Sequence, residues 1–296
     1  MTERTRWLLL LVLPPLFWAG NALVGRAVVG DIPPVALSFW RWVLAAIMIL
    51  PFTATSLKLH APVLRRHWVA VVALGLFSVA AYNTLLYLAL QTTTAINATL
   101  VGACLPLMVL VIARLWLGEP IRPRQALGIL VSLLGLVAVV ARGDPARLAA
   151  LTFSAGDLLM LAATLSWSIY SVMLRRYPLA VPGFTLLAAL ILVGVVAILP
   201  VYLWELAEGG RMSVSPGSLA AIGYTALFAS LLAYYFWNRG VAVVGASVAG
   251  QFTYLIPLFT AVLAVLLLGE QFRAFHALGG GLIFAGIGLA TLGRRR

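Results

Sequence analysis

The sequence predicts an all-α integral membrane protein, with ten transmembrane helices arranged as a 5+5 inverted repeat. Three observations carry this reading. Apolar residues make up 63% of the 296-residue chain and charged residues only 9%. Soluble domains carry roughly 25% charged residues, so this chain lacks the polar surface to face water. Ten stretches are apolar enough and long enough to cross a bilayer, which takes about 20 helical residues for ~30 Å of hydrocarbon. Finally, one stretch occurs twice. Ala95–Glu119 and Ala246–Glu270 each run through a central proline (Pro106, Pro257) to a Gly-Glu stop (Gly118-Glu119, Gly269-Glu270). A constant offset of 151 residues carries the match through Arg122/Arg273, Ala126–Gly128/Ala277–Gly279 and Gly135/Gly286. The chain is one unit built twice, with halves over residues 1–145 and 150–296.

The expected spans are roughly 7–29, 33–55, 67–91, 95–117, 121–141, 156–176, 182–205, 217–240, 246–268 and 272–293. Pro, Gly and charged residues mark the connectors, as in Gly30-Asp31, Pro33-Pro34, Gly143-Asp144-Pro145 and Gly209-Gly210. The first span has the look of a signal peptide, but it has a counterpart. Phe17-Trp18…Arg26 matches Ser166-Trp167…Arg175, and Pro33/Pro182 and Pro51/Pro200 follow at the same offset of 149. With the N-terminus inside, fourteen Lys and Arg fall in inner loops and five in outer loops (Arg26, Arg142, Arg147, Arg211, Arg273). The positive-inside rule therefore places both termini in the cytoplasm. Five spans per half is odd, so the second half enters the membrane upside down relative to the first.

The net charge of +12 does not indicate nucleic acid, because the basic residues form no patch beside stacking aromatics. Cys104, the single cysteine, reads as a small core residue. No GxxxxGK stretch supports nucleotide hydrolysis.

Inverted repeats underlie alternating access around a midplane site. On the two five-helix halves, the Pro-centred fourth helix of each and the Gly-Glu that follows it, the chain resembles the drug/metabolite transporter superfamily in its ten-helix EamA-type branch. Its aromatic content is similar to that of the YddG-type exporters of aromatic amino acids. The resemblance implies a bacterial inner-membrane exporter whose cavity is lined by helices one to four and six to nine, with five and ten peripheral.

The residues suggest where such a site would lie. Pro106 and Pro257 fall near mid-span; each removes a backbone hydrogen bond and bends its helix, either as a hinge or as a static kink. Trp18 and Trp167 stand away from the headgroup belt and need partners for their indole N–H groups, so they either line the cavity or bond between helices. Asn21 and Tyr170, one turn on, repeat the polar pattern. Tyr82-Asn83 and Tyr234, extended by Tyr87, Tyr235 and Asn238, read as gates on opposite sides of the midplane or as interfacial anchors; anchoring suits Tyr87 and Trp237 best. Gln251, Thr253 and Tyr254 precede Pro257 as Asn97 and Thr99 precede Pro106, placed to bond freed carbonyls or face a solute. Arg41, between Trp40 and Trp42, is the one basic residue well inside a span. It snorkels, pairs structurally within the bundle, or meets a substrate carboxylate. Glu119 and Glu270 suit pairing with Arg122 and Arg273.

All eight acidic residues and all three histidines fall at span ends or in loops. With no evident intramembrane proton relay, transport without strong proton coupling is expected. The expected activity is export of small metabolites, aromatic or neutral amino acids foremost, with Trp and Tyr faces holding the side chain and ammonium. Drugs, purines or other amphipathic metabolites are the alternative cargo. A membrane-embedded enzyme is remote, because the spans lack convergent catalytic groups. No cofactor or metal is expected. Expected partners are a small-molecule substrate, the bilayer and a second copy of the chain through the glycine-rich helices five and ten. There Gly128, Ser132 and Gly135, and Gly281, Ala285 and Gly288, form small-residue faces. Gly135→Ala is the expected mild control beside Trp18→Ala, Tyr82→Ala and Trp167→Ala.

Overall fold

In the computed structural model, the chain passes back and forth through ten helical spans: α1 (Glu3–Gly25), α2 (Pro34–Arg66), α3 (Trp68–Ala89), α4 (Asn97–Leu117), α5 (Pro123–Val140), α6 (Ala155–Arg176), α7 (Gly183–Ala207), α8 (Pro216–Val244), α9 (Ala246–Leu263) and α10 (Ala274–Thr291). The structure describes all residues except 1, 29, 94, 142–143, 145, 150, 153, 269–273 and 292–296. Glu270 and Arg273 lie outside the described residues. Arg4 Nη2 donates to the carbonyl of Thr291 at 3.1 Å, so the starts and ends of the ten passages meet at one end of the bundle. That end, which also carries Arg175, is called the Arg175 end below; the opposite one is the Pro33 end.

Three spans are irregular for reasons the sequence supplies. α1 breaks between its helical segments Glu3–Leu10 and Leu13–Ala27. Pro14 and Pro15 lack amide hydrogens and so occupy the first turn of the second segment. α4 breaks between Ala95–Gly102 and Leu105–Leu117, with Pro106 again in a first turn. α9 changes from α-helix to a 3-10 turn over Phe252–Tyr254 before resuming at Leu255. The proline-bearing helices four and nine are thus interrupted at matched places. Cys104 falls in the α4 break and is exposed rather than part of the core. α2 runs 33 residues, about 50 Å, well past the expected end near residue 55. Its apolar run stops there, but Leu57, Lys58, Leu59 and Ala61 are strong helix formers and carry the helix onward.

α3 and α8 share a second irregularity. Leu76–Tyr82 and Thr225–Leu232 are π-helical, at corresponding places in the two repeats. The wider turn re-phases the side chains beyond it. It also leaves carbonyls that side chains of the other repeat reach: Trp18 Nε1 donates to Ala229 O at 3.1 Å, and Ser166 Oγ donates to Phe77 O at 2.7 Å.

The repeats pack symmetrically. α1 lies against α8 and α9, as α6 lies against α3 and α4; α2 meets α7 and α8, and α7 meets α3. α5 and α10 pack on each other. A Cβ on Gly128 would stand 2.5 Å from Gly286 O, and one on Gly135 2.5 Å from Gly279 O. Ser132 Oγ donates to Ile283 O between them, at 3.3 Å. The small-residue face of α5 is therefore filled within the chain. On α10 the matching face is Gly279, Ile283 and Gly286. Gly281 and Ala285 point outward and are exposed, because a two-residue shift moves a side chain about halfway round a helix.

Candidate functional site

Arg41 projects from α2 about two turns from the Pro33 end into the interface between repeats. It is 1% exposed and therefore does not snorkel. Its Nε and Nη2 donate to Ser230 Oγ at 2.9 and 2.8 Å. Its Nη1 donates to Asn83 Oδ1 at 3.1 Å and to the Tyr87 hydroxyl at 2.7 Å. The Tyr87 hydroxyl in turn donates a hydrogen bond to Asn21 Oδ1 at 3.2 Å. Asn83 Nδ2 donates to the Tyr234 hydroxyl at 2.9 Å, and that hydroxyl donates to Ser78 O in the π-helical turn at 2.9 Å. Every one of these acceptors is uncharged. A cation withdrawn from water costs several kcal/mol unless an anion compensates it. Among the described residues only dipoles and the Trp42 ring, 5.1 Å from the guanidinium, compensate it.

Below the guanidinium the interior is aromatic. Trp167 is the hub: Tyr82, Tyr234, Trp18, Tyr170 and Trp237 have ring centroids 4.8, 5.0, 5.1, 5.2 and 5.7 Å away. Trp42 meets Tyr234 edge-on at 5.0 Å. These spacings suit tilted and edge-to-face contacts. Among the described residues the indole N–H groups of Trp42, Trp167 and Trp237 are buried without a hydrogen-bond partner. On α9 the Gln251 amide is fully buried with neither its oxygen nor its nitrogen bonded, and Ser247 Oγ, one turn earlier, is also unpartnered.

Trp18, Asn21, Arg41, Tyr82, Asn83, Trp167, Tyr170 and Tyr234 come together around this core, so Asn83 and Tyr234, bonded at 2.9 Å, are not gates on opposite sides of the midplane. Trp40 does not. It is 37% exposed on the outer face of α2, with its indole donating to the Tyr202 hydroxyl. Tyr235 stands at the Arg175 end, stacked on Phe184 at 4.2 Å and set edge-on to Trp7. Tyr254 lies at the helix breaks, where its hydroxyl donates to Ala103 O at 3.2 Å. Thr253 bonds Gly250 O within its own helix. Asn97 ties to Thr152 O and to the Asp157 carboxylate. Tyr87 and Trp237 are 5% and 0% exposed and are not interfacial anchors. Among the described residues Glu119 makes no ion pair with Arg122, which instead sits at the N-cap of α5.

Residue-by-residue reading missed Ser230, Trp42 and Glu205, and took Trp237 for an anchor. Ser230, Tyr234 and Trp237 share one helical face at i, i+4 and i+7, a polar-aromatic stripe that periodicity could have found. Glu205 caps α2, accepting from the Val35 and Ala36 amides at 2.9 and 2.7 Å, which no local spacing announces.

The rings expected to line an open midplane cavity pack on one another instead, because their bulk fills the space between the repeats. A cavity of about 190 Å³ lies nearer the Pro33 end, lined by Pro33, Leu37, Tyr87, Leu90, Gln91 and Arg211 among others. Tyr87 is common to this cavity and to the Arg41 network.

Ten apolar spans, two matched halves and a buried polar-aromatic interface between them define a multi-pass membrane protein of the inverted-repeat transporter class. The chain belongs to the EamA-like transporter family, whose profile matches residues 5–141 and 154–292. Among relatives, a transporter of Archaeoglobus fulgidus is 29% identical over 96% of each chain. The transporter YyaM of Bacillus subtilis is 26% identical over 92% of this chain and 89% of its own. The inner membrane transporter YedA of Escherichia coli is 26% identical over 94% and 88%. A solved crystal structure superimposes with a TM-score of 0.78 at 26% identity, covering 98% of both chains.

Proposed function

We propose that this protein is a bacterial inner-membrane carrier that exports small carboxylate-bearing amphipathic metabolites, aromatic and neutral amino acids foremost, by alternating access between its repeats. Arg41 carries the reading. A fully buried guanidinium with only neutral acceptors is a site of net positive potential, and a carboxylate is the group that gains most there. The adjoining Trp and Tyr faces suit an aromatic or aliphatic side chain and can hold an ammonium by cation–π attraction. The positive-inside count puts the Pro33 end outside and both termini in the cytoplasm.

In this arrangement the repeats must part for a solute to enter the core. The matched breaks of α4 and α9 beside Pro106 and Pro257, and the matched π-helical turns of α3 and α8, are the places where backbone bonding already differs from a straight helix. They serve as the hinges of the exchange. Purified protein in liposomes tests this. Labelled tryptophan or phenylalanine should cross, and unlabelled aromatic amino acids should slow it. An absence of flux across a broad amino-acid panel refutes the substrate assignment.

A further inference from the structure

We infer that the cavity at the Pro33 end is a second carboxylate-binding station, separate from Arg41, that a solute occupies between the core and the medium. The inference rests on the carrier reading above and adds to it a site with its own cation. The cavity measures about 190 Å³. An apolar cavity of about 150 Å³ takes up benzene, so this one has room for a single ring with a carboxylate. Pro33, Leu37 and Leu90 give it apolar walls, while Tyr87, Gln91 and Arg211 give it polar ones.

Arg211 is positioned by its loop. The α7–α8 connector turns at Gly209, with φ of +91°, and docks on the α1–α2 connector through Ser213 N donating to Asp31 O at 2.8 Å. Glu205 anchors the same connector by capping α2, which leaves its carboxylate committed to backbone amides. Arg211 makes no ion pair with a described acidic residue. Asp31 and Glu208, the other acids of these two connectors, are exposed. A guanidinium and an amide lining one cavity that also has apolar walls make a carboxylate receptor.

Tyr87 joins the two stations. Its side chain lines the cavity, while its hydroxyl accepts from Arg41 and donates to Asn21. It is 5% exposed and is the residue common to both stations. A carboxylate leaving Arg41 exchanges that contact for Arg211 when Tyr87 swings aside.

The test is protection from an arginine reagent, read by peptide mass mapping on wild-type protein in nanodiscs. Phenylglyoxal modifies Arg211 and, at the opposite end, the exposed Arg239. Benzoate should slow modification of Arg211 at least threefold and leave Arg239 unchanged, while benzyl alcohol should protect neither. Gln91→Leu, at an exposed position, should reduce the protection. Equal Arg211 modification with benzoate and with benzyl alcohol overturns the station. That outcome leaves Arg41-dependent flux standing, whereas protection without any amino-acid flux removes the carrier's substrate assignment and keeps the station.

Discussion

Asn83 and Tyr234 stand 151 residues apart, the offset that relates the two repeats, and share a hydrogen bond of 2.9 Å. Residues equivalent in the repeat meet only at its pseudo-two-fold axis. Tyr254 and Ala103, and Ser132 and Ile283, are two more pairs joined at that offset. The axis therefore passes through side chains of the polar core, the broken helices and the α5–α10 crossing.

The Asn83–Tyr234 bond should be energetically coupled. Tyr234→Phe removes the hydroxyl that also donates to Ser78 O, and Asn83→Ala removes the donor to it and an acceptor for Arg41. Each should lower the thermal midpoint in detergent. The double variant should fall short of the sum by about 0.5–2 kcal/mol. Strict additivity would show that the two residues do not act through one another.

Arg41 should tolerate no conservative replacement. Its fork spans Ser230 on one side and Asn83 with Tyr87 on the other, a reach an ammonium lacks. Arg41→Lys should raise KM for carboxylate substrates tenfold or more. Trp40→Ala, on the outer face, should stay within twofold. Similar KM values for the Arg41 variant and wild type would remove Arg41 from substrate recognition.

The α5–α10 crossing should be sensitive to single methyl groups. Gly135→Ala brings its Cβ within 2.5 Å of Gly279 O, so it is no mild control. It should destabilise the protein by about 1–3 kcal/mol, seen as a lower melting temperature. Gly281→Ala, with open space around it, should be near neutral. Equal melting of the two variants would contradict the packing.

A pH gradient should add little to transport. Asp157 is buried at the start of α6, but Thr93, Asn97 and the Ser154 amide already hold its carboxylate. Among the described residues the Arg41 network contains no carboxylate or imidazole. Flux measured with and without an imposed gradient should agree within about twofold. Strong gradient-driven accumulation would refute uncoupled transport.

Much of the fold was legible because it is written in hydropathy and in a repeat, both one-dimensional signals. Ten spans, the paired halves and the breaks near Pro106 and Pro257 all follow from them. The small-residue face of α5 was legible too. Its partner face on α10 was not, since Gly279 and Gly281 differ only in phase around the helix. The π-helical turns leave no mark in Leu76–Tyr82 or Thr225–Leu232, whose residues suit an α-helix equally well. Arg41 was visible as an anomaly, but its burial depends on Ser230 from the other repeat, a contact across 189 residues. Trp40 and Trp42 flank it identically in sequence, and only helix orientation sends one outward and the other into the core.

Counterflow of labelled phenylalanine in proteoliposomes, with tryptophan and tryptamine as competitors, tests the central claim most directly. Wild-type protein should exchange phenylalanine, tryptophan should compete at least tenfold better than tryptamine, and Arg41→Gln should abolish that preference. Equal competition by the acid and by the amine lacking the carboxylate, unchanged in Arg41→Gln, would contradict a carboxylate passage between the repeats.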